Sequence, residues 1–379
     1  MKKYIWQHSN WPELYWDNQA IASLVTKSRQ KQSFLLGAAN MLGFDLKLQA
    51  QGIILEKEVI ETAAIEGETL NPESVCSSVA RQLGLPTAGM RAPDRKTNGI
   101  VEVLLDAAKH FNKPLSEERL KGWHAALFPD GYSGIHQIVT GDWRKGKMEI
   151  VSGPEGRQRV HYKAPPPDVI AKEMKIFLHW LNTNNSSRDN GLTRAALAHY
   201  WFAAIHPFDD GNGRIARALT DMALAQDENT STRFYSLSNQ IMKERDDYYD
   251  VLERCSNGSG DITRWQEWFL GCFERAVISS QELINRVLVK ARFWQEFVET
   301  DLNSRQKKVL NSLLDIGKGN FEGNLAARNY RSLAKTTKAT ASRDLDDLLK
   351  KGALRLLDGA GRSTRYDLVW EKFETGAVL

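Results

Sequence analysis

Along residues 191–205, GLTRAALAHYWFAAI, apolar side chains recur at helical spacing with so little polarity between them that a mostly buried helix is predicted. Pro207 and the Gly211-Asn212-Gly213 triplet break that pattern, and Arg214-Ile215-Ala216-Arg217-Ala218-Leu219 restarts it, giving helix, loop, helix. Upstream, the chain reads as helical from about Asn18 to Ala50, with Leu24, Phe34, Leu35, Leu36, Leu42 and Leu46 supplying apolar positions. Another covers 115–128, with Leu120, Trp123, His124 and Leu127 facing inward and His124 read as a satisfied core histidine. Trp6, Trp11 and Trp16 recur at intervals of five, which fits no heptad and reads as one small hydrophobic cap. Two extended runs, Lys147–Ser152 and Arg159–Tyr162, flank the turn Gly153-Pro-Glu-Gly156 and predict a β-hairpin. Ala164-Pro-Pro-Pro167 then stiffens the return to a helix over 168–180.

After the restarted helix, RFYSLSNQIMKERDDYYDVLERC is helical in its later half, with Lys243 and Glu253 on the surface. WQEWFLGCFERAV carries an aromatic stripe assigned to the core, and helices continue through Phe293. Asn303 or Ser304 caps a helix over 303–314. Helical runs over 326–336 and 338–351 follow, then two short strands over 354–368 around Gly359-Ala-Gly-Arg362.

Composition narrows this picture. The 379 residues are 42% hydrophobic, enough for a substantial core in more than one domain. Against 47 acidic residues stand 51 basic ones, and the formal charge of +4 is too small to argue for nucleic-acid binding by itself. Cys76, Cys255 and Cys272 are odd in number and lack metal-ligand spacing, so reduced thiols are expected rather than a disulfide framework. The opening MKKYIWQHSNWPELYWDN shows no signal-peptide pattern, and no apolar run reaches the roughly 18 residues of a membrane span. A cytoplasmic protein with no membrane partner is expected.

The candidate chemistry lies in the loop, HPFDDGNGRIAR, His206–Arg217. Its glycines let the backbone approach a ligand and aim several N–H groups at one point, and the next helix opens there with unpaired N–H groups of its own. An anion suits that place. Arg214 and Arg217, three apart, share one helical face and can fork onto phosphate oxygens. Asp209 or Asp210 beside such a nest requires an offsetting cation, a hard one such as Mg²⁺ shared with the phosphates. His206 can take a proton near neutral pH. On this chemistry alone the polyphosphate site is open to a kinase-like, hydrolytic or merely binding role.

The segment resembles the signature of Fic-domain proteins, HPFx(D/E)GNGRxxR, at every specified position. Most such proteins move AMP from ATP onto a hydroxyl of a target protein. The resemblance implies a mainly α fold, a Fic helical core with a β-hairpin flap. It implies that His206 deprotonates a Ser, Thr or Tyr hydroxyl and that Asp210 binds Mg²⁺, or Mn²⁺ in its stead, between the α- and β-phosphates. Asn212, with the backbone of Gly211 and Gly213, would hold phosphate oxygens, Arg214 and Arg217 would grip the outer phosphates, and Phe208 would anchor the loop. The roles fit the physics of in-line attack at the α-phosphorus, which needs a base opposite the leaving pyrophosphate and cationic groups beside it. The predicted hairpin resembles the flap that pairs with a target segment, with Met148, Glu149, Ile150 and Val151 as the target-facing strand. Tyr249 resembles a nucleotide-pocket tyrosine, although the asparagine that usually follows seven residues later is Ser256 here, with Asn257 one place on.

Thr62 and Glu66 lie four apart on a helix face that ends at Gly67, in itself an ordinary helix stop. Beside the signature, this segment resembles the inhibitory (S/T)xxxE(G/N) helix of Fic proteins, which implies that Glu66 pairs with Arg217 and takes the place of the ATP γ-phosphate. WP, WD and LLG near the start resemble the helical region ahead of the Fic domain in one large bacterial subgroup. The last part resembles a winged helix-turn-helix, with Thr340, Ser342 and Arg343 on the would-be recognition helix. Such a module admits DNA as a partner provided that Asp344, Asp346 and Asp347 point inward or sideways. The expected layout is a helical region with the inhibitory helix over 1–98, a Fic catalytic domain over 99–300 and a winged helix-turn-helix module over 301–379. The expected activity is adenylylation of an unidentified protein with ATP and Mg²⁺, restrained by Glu66, in a chain that self-associates as a dimer as many of the family do. Removal of AMP by the same site, transfer of another nucleotide-linked phosphoryl group and a nucleotide-sensing DNA-binding regulator are the alternatives.

Overall fold

The structure is a computed structural model that describes residues 4–152, 159–183, 191–321, 324–357 and 364–374. Two compact units make it up, one from Met1–Gly37 with Gln51–Ser280, the other from Ala38–Ala50 with Gln281–Leu379. The chain is mainly helical. It begins with α1 (Asn18–Asn40), α2 (Phe44–Ile65), α3 (Pro72–Leu83), α4 (Arg95–Lys109) and α5 (Glu117–Leu127). The helical stretch expected over 18–50 is made of α1 and the start of α2. Tight turns from Met41 N to Ala38 O and Leu42 N to Ala39 O end α1, and Asn40 and Gly43 at this point are ordinary helix-stop residues. The three tryptophans also differ from expectation. Trp6 packs near Tyr4 and Tyr162, Trp11 lies edge-on to Trp201, and Trp16 donates to Asn18, so they form no single cap.

Next come two short antiparallel pairs, β1 (Tyr132–Ser133) with β2 (His136–Gln137), and β3 (Glu149–Ser152) with β4 (Arg159–Lys163). In the second pair Glu149 faces Lys163 and Ile150 faces Tyr162, but Val151 faces Val160. His161 is the extra residue of a bulge. Met148, expected in this strand, immediately precedes it; it packs with Tyr4, Tyr162 and Ala164, and its carbonyl accepts from Ala164 N, next to the Glu149–Lys163 pair. The turn at Gly153–Gly156 lies outside the described residues.

The middle of the chain supplies α6 (Ile170–Thr183), α7 (Gly191–Ile205), α8 (Asn212–Glu228), α9 (Leu237–Lys243), α10 (Arg245–Ser256) and α11 (Thr263–Glu296). Helix α7 is buried along almost its whole length, as its unbroken apolar composition demands. Buried polar groups fix its neighbours around it. Trp265 donates to Ala196 O at 2.7 Å, and Gln266 donates to Thr193 O at 3.1 Å. His199 joins α7 to α8 and α10: the Thr220 hydroxyl already donates to Ala216 O, so it accepts from His199 Nδ1, which leaves Nε2 to accept from Tyr248. Burial pushes the His199 pKa down to about 3, which keeps that arrangement neutral. Helix α2 docks through buried Glu58, which accepts from the Ser236 hydroxyl at 2.7 Å and from Ser238 N at 3.0 Å.

The second unit includes α12 (Ser304–Ile316), α13 (Ala327–Ala334) and α14 (Lys338–Lys350), then β5 (Leu354–Leu357) antiparallel to β6 (Arg365–Leu368), and the short α15 (Glu371–Glu374). Asn303 caps α12 in a reciprocal box with Gln306. Leu310, Leu313, Tyr330, Leu345, Leu348 and Leu368 share its core. Asp344 is buried and accepts from Arg305, Asn303 and Tyr330, while Asp347 accepts from Gln306 and Lys351, so both acids turn toward α12 and its start. Ser342, Arg343 and Asp346 stay exposed. The residues Gly359-Ala-Gly-Arg362 lie outside the described part. Cys76, Cys255 and Cys272 are free thiols, and no helix among the described residues is long and apolar enough to cross a membrane.

Candidate functional site

The loop between α7 and α8 is built on Phe208, which is fully buried and stacks on the His124 ring with centroids 4.2 Å apart. Gly141 N donates to His124 Nδ1, so His124 Nε2 carries the proton and donates to Asp210 O at 3.2 Å. Burial lowers the His124 pKa to about 4, consistent with a neutral ring. The expected core histidine is thus also the floor of the loop. Asn212 departs from its expected role. Its side-chain oxygen accepts from Phe208 N at 3.0 Å and its amide donates to Phe208 O at 2.9 Å, so the side chain closes the loop rather than facing a ligand. What remains for an anion is backbone. Gly211, at φ 77, is the N-cap, and the N–H groups of Asn212, Gly213 and Arg214 precede the first helical bond, from Ile215 N to Gly211 O.

His206 sits at φ 51, a left-handed conformation that is costly for a residue with a side chain. Buried Arg144 holds it there, donating through Nε to His206 O at 2.8 Å while Arg144 N donates to Pro207 O at 2.9 Å. The same guanidinium reaches Gly146 O and Pro165 O, tying the loop to the base of the β3–β4 hairpin. Nothing in the chain's periodicity singles out Arg144. His206 Nδ1 lies 3.2 Å from Ala203 O, and since a carbonyl only accepts, Nδ1 carries the proton and Nε2 keeps its lone pair. Burial lowers the His206 pKa below its ordinary value; the Ala203 contact opposes this, and Arg144's charge adds to it. The imidazole is therefore neutral at pH 7, the form a base requires. Activity that depends on it is expected to hold level above pH 7 and to fall as the pH drops through a value below 6.5; a rate-against-pH profile checks this.

Asp209 accepts from Val139 N at 2.9 Å, which leaves Asp210 as the loop's half-exposed carboxylate. Asp210 accepts from Gly211 N and from the Ser133 hydroxyl, which comes from 77 residues upstream and carries no local signal of that contact. Among the described residues no cluster of three acid, histidine or cysteine ligands surrounds it. One carboxylate with the remaining ligands left to phosphates and water is how Mg²⁺ is commonly held at nucleotide sites, so the donor set fits that ion.

Both arginines of α8 are buried. Arg217 donates through Nε to Thr62 Oγ1 at 2.6 Å and through Nη2 to Thr62 O and Glu66 Oε1, each at 2.9 Å. Burial, the largest single influence, disfavours its charge, but the Glu66 carboxylate together with Tyr248 and Tyr249 more than offsets it, and the pKa is raised. Arg214 lies over the Phe128 ring at 4.8 Å, donates to Glu68 at 3.0 Å and stands 3.7 Å from Asp210. Arg214 Nε and Nη2 and Arg217 Nη1 are buried with no hydrogen-bond partner among the described residues, a costly state that an anion would relieve.

Glu66 meets the loop at Gly213. A Cβ at 213 would fall 2.0 Å from Glu66 Oε1, so only glycine allows the carboxylate to sit on the first turn of α8. The end of α2 explains how it gets there. Gly67 has φ 79, Gly67 N donates to Ala64 O and Glu68 N to Ala63 O, the two bonds of a Schellman stop. Arg245 Nε and the Tyr249 hydroxyl both donate to Ile65 O, at 2.8 and 3.3 Å. Tyr249, expected at the nucleotide, is here a clamp on the end of α2. Glu253, expected as a plain surface residue, accepts from Arg159 and contacts His161, joining α10 to β4. Ile150 and Val151 of β3 are each 39% exposed, with Glu149 beside them paired to Lys163.

Residues 114–224 match the model of the Fic/DOC family. Residues 4–85 match the model of a domain of unknown function, DUF4172. The chain is 34% identical over 224 residues to a protein adenylyltransferase Fic of Nematostella vectensis, covering 58% of this chain and 47% of that protein. To protein adenylyltransferase fic-1 of Caenorhabditis elegans it is 29% identical over 170 residues, covering 44% and 31%. It thus spans under half the length of these curated relatives. In fold it is similar to the crystal structure of a Fic family protein from Desulfovibrio desulfuricans G20, with a TM-score of 0.56 at 21% identity over 95% of this chain and 98% of that one.

Proposed function

We propose that the protein is a protein adenylyltransferase that moves AMP from ATP to a Ser, Thr or Tyr hydroxyl of a target protein and is held closed by Glu66. The observation that carries this reading is a loop with a neutral His206 whose Nε2 keeps its lone pair at one end, and at the other two buried arginines with N–H groups unsatisfied among the described residues. The named relatives support the same activity.

In this reading His206 Nε2 takes the hydroxyl proton as the oxygen forms its bond to the α-phosphorus. The bond from that phosphorus to the β-phosphate oxygen breaks, and pyrophosphate leaves with its charge met by Arg214, Arg217 and the N–H groups of Asn212 and Gly213. Mg²⁺ held by Asp210, or Mn²⁺ in its stead, would neutralise charge shared between the α- and β-phosphates. The exposed β3 edge would pair with the target's backbone, which leaves side-chain selection loose. Tyr249 would border the nucleotide once it leaves Ile65 O. Label partition tests the class. With E66G protein, label at the α-phosphate of ATP is expected to enter protein and label at the γ-phosphate is not; transfer of the γ-label would make the site kinase-like instead.

A second reading, removal of AMP by water at the same site, is favoured by Glu66 itself, a carboxylate held beside the loop whose charge acts on His206. Incubating adenylylated target with the wild-type protein without ATP separates the two. For residues 301–379 the element order supports a winged helix-turn-helix, and the inward turn of Asp344 and Asp347 leaves Ser342 and Arg343 outward, as a DNA-facing helix requires.

A further inference from the structure

One turn delivers two carboxylates. Glu66 is the C-cap of α2, Gly67 reverses the chain at φ 79, and Glu68 follows in the position bonded back to Ala63 O. Glu66 thereby reaches Arg217 at 2.9 Å and Glu68 reaches Arg214 at 3.0 Å. Each of the two arginines of α8 is paired with its own acid. The acids differ in their second partners. Glu66 Oε1 is hydrogen-bonded to Arg217, whereas Glu68 holds Arg214 with Oε2 and Lys96, from the first turn of α4, with Oε1 at 3.0 Å.

We propose that Glu68 is a second latch on the site, restraining Arg214 as Glu66 restrains Arg217, and that Lys96 makes this latch reversible. The inference rests on the reading of the loop as an ATP site and names a positioning residue for it. A phosphate chain entering the nest competes with Glu68 for Arg214, two of whose buried donors already lack a partner among the described residues. Surrendering Arg214 would ordinarily strand a carboxylate that is only 20% exposed, at considerable cost. Because Lys96 stays on the other oxygen, Glu68 remains paired and the cost falls. Glu68 thus lowers the affinity for ATP, and Lys96 lowers Glu68's hold. Loss of Glu66 frees only one of the two arginines.

The test is ATP·Mg²⁺ affinity by equilibrium titration, with KM alongside, in four proteins: E66G, E66G/E68Q, E66G/K96Q and E66G/E68Q/K96Q. Glutamine keeps the size of Glu68 and removes its charge. E68Q is expected to tighten ATP about three- to tenfold, and K96Q to weaken it by about threefold, the scale of one partly buried ion pair. The opposite signs matter, because an ion-pair network that merely supported the fold would give both variants the same sign. In the E68Q background K96Q is expected to have no effect, since Lys96 acts only through the carboxylate. Unchanged or weaker binding in E68Q overturns the latch, and so does a K96Q effect that persists without Glu68. Titration reads ATP binding whether or not AMP is transferred. An E66G protein that binds ATP but labels no target would contradict the proposed activity while leaving the latch measurable.

Discussion

Substituting Glu66 by glycine is expected to raise the rate of AMP incorporation into protein by roughly two orders of magnitude, the scale on which one preorganised charge-stabilising donor acts. In the closed arrangement Arg217 spends Nε and Nη2 on Thr62 and Glu66, and the Glu66 carboxylate lies where Gly213 leaves room at the helix N-terminus. The substitution removes a negative charge from an anion nest and returns an arginine to it. Arg217 keeps Thr62 as an anchor, so it stays positioned at the nest. Initial rates of α-labelled ATP incorporation by the two proteins measure this, and equal rates would contradict restraint by Glu66.

Placing alanine at His206 in that released protein is expected to cut the transfer rate by about 10²- to 10⁴-fold, the usual contribution of a positioned general base. ATP binding should change little, because the phosphate contacts come from α8 and its N-terminus rather than from the imidazole. The substitution leaves the left-handed strain at 206 in place, since alanine retains the Cβ that causes it, and Arg144 still holds the backbone carbonyl. A loss in kcat with unchanged ATP affinity therefore identifies a base, while parallel loss of both would mean that the loop itself has moved.

The features legible in the chain were those set by local periodicity and by residues with restricted backbones. The α7–loop–α8 unit could be read because a continuous apolar face stops at Pro207 and restarts after Gly213. The β3–β4 hairpin and the α12–α14, β5, β6 order were readable for the same reason, as was the end of α2 at Gly67. Long-range partners were not. Glu68 is one more acid after a helix, and only the three-dimensional approach of α4 and α8 makes it the partner of Lys96 and Arg214. Arg144 is a single charge in a loop until His206 O and Pro165 O are brought to it from 62 and 21 residues away. Asn212 was placed toward a ligand by its neighbours in the motif, but a buried amide takes the nearest backbone donor and acceptor, here those of Phe208. The break at Met41–Gly43 does not show in the helical pattern of 18–50, because leucines on both sides keep the helical rhythm through a turn that is itself short.

The central claim is that HPFDDGNGRIAR is an AMP-transfer site restrained by Glu66. Its most direct test is intact-protein and peptide mass spectrometry of a cell lysate after incubation with ATP and Mg²⁺ and each of the wild-type, E66G and E66G/H206A proteins. The account predicts AMP on hydroxyl side chains of target proteins, abundant with E66G, scarce with the wild type and lost with E66G/H206A. AMP at equal levels with all three proteins, or none with E66G, would contradict it.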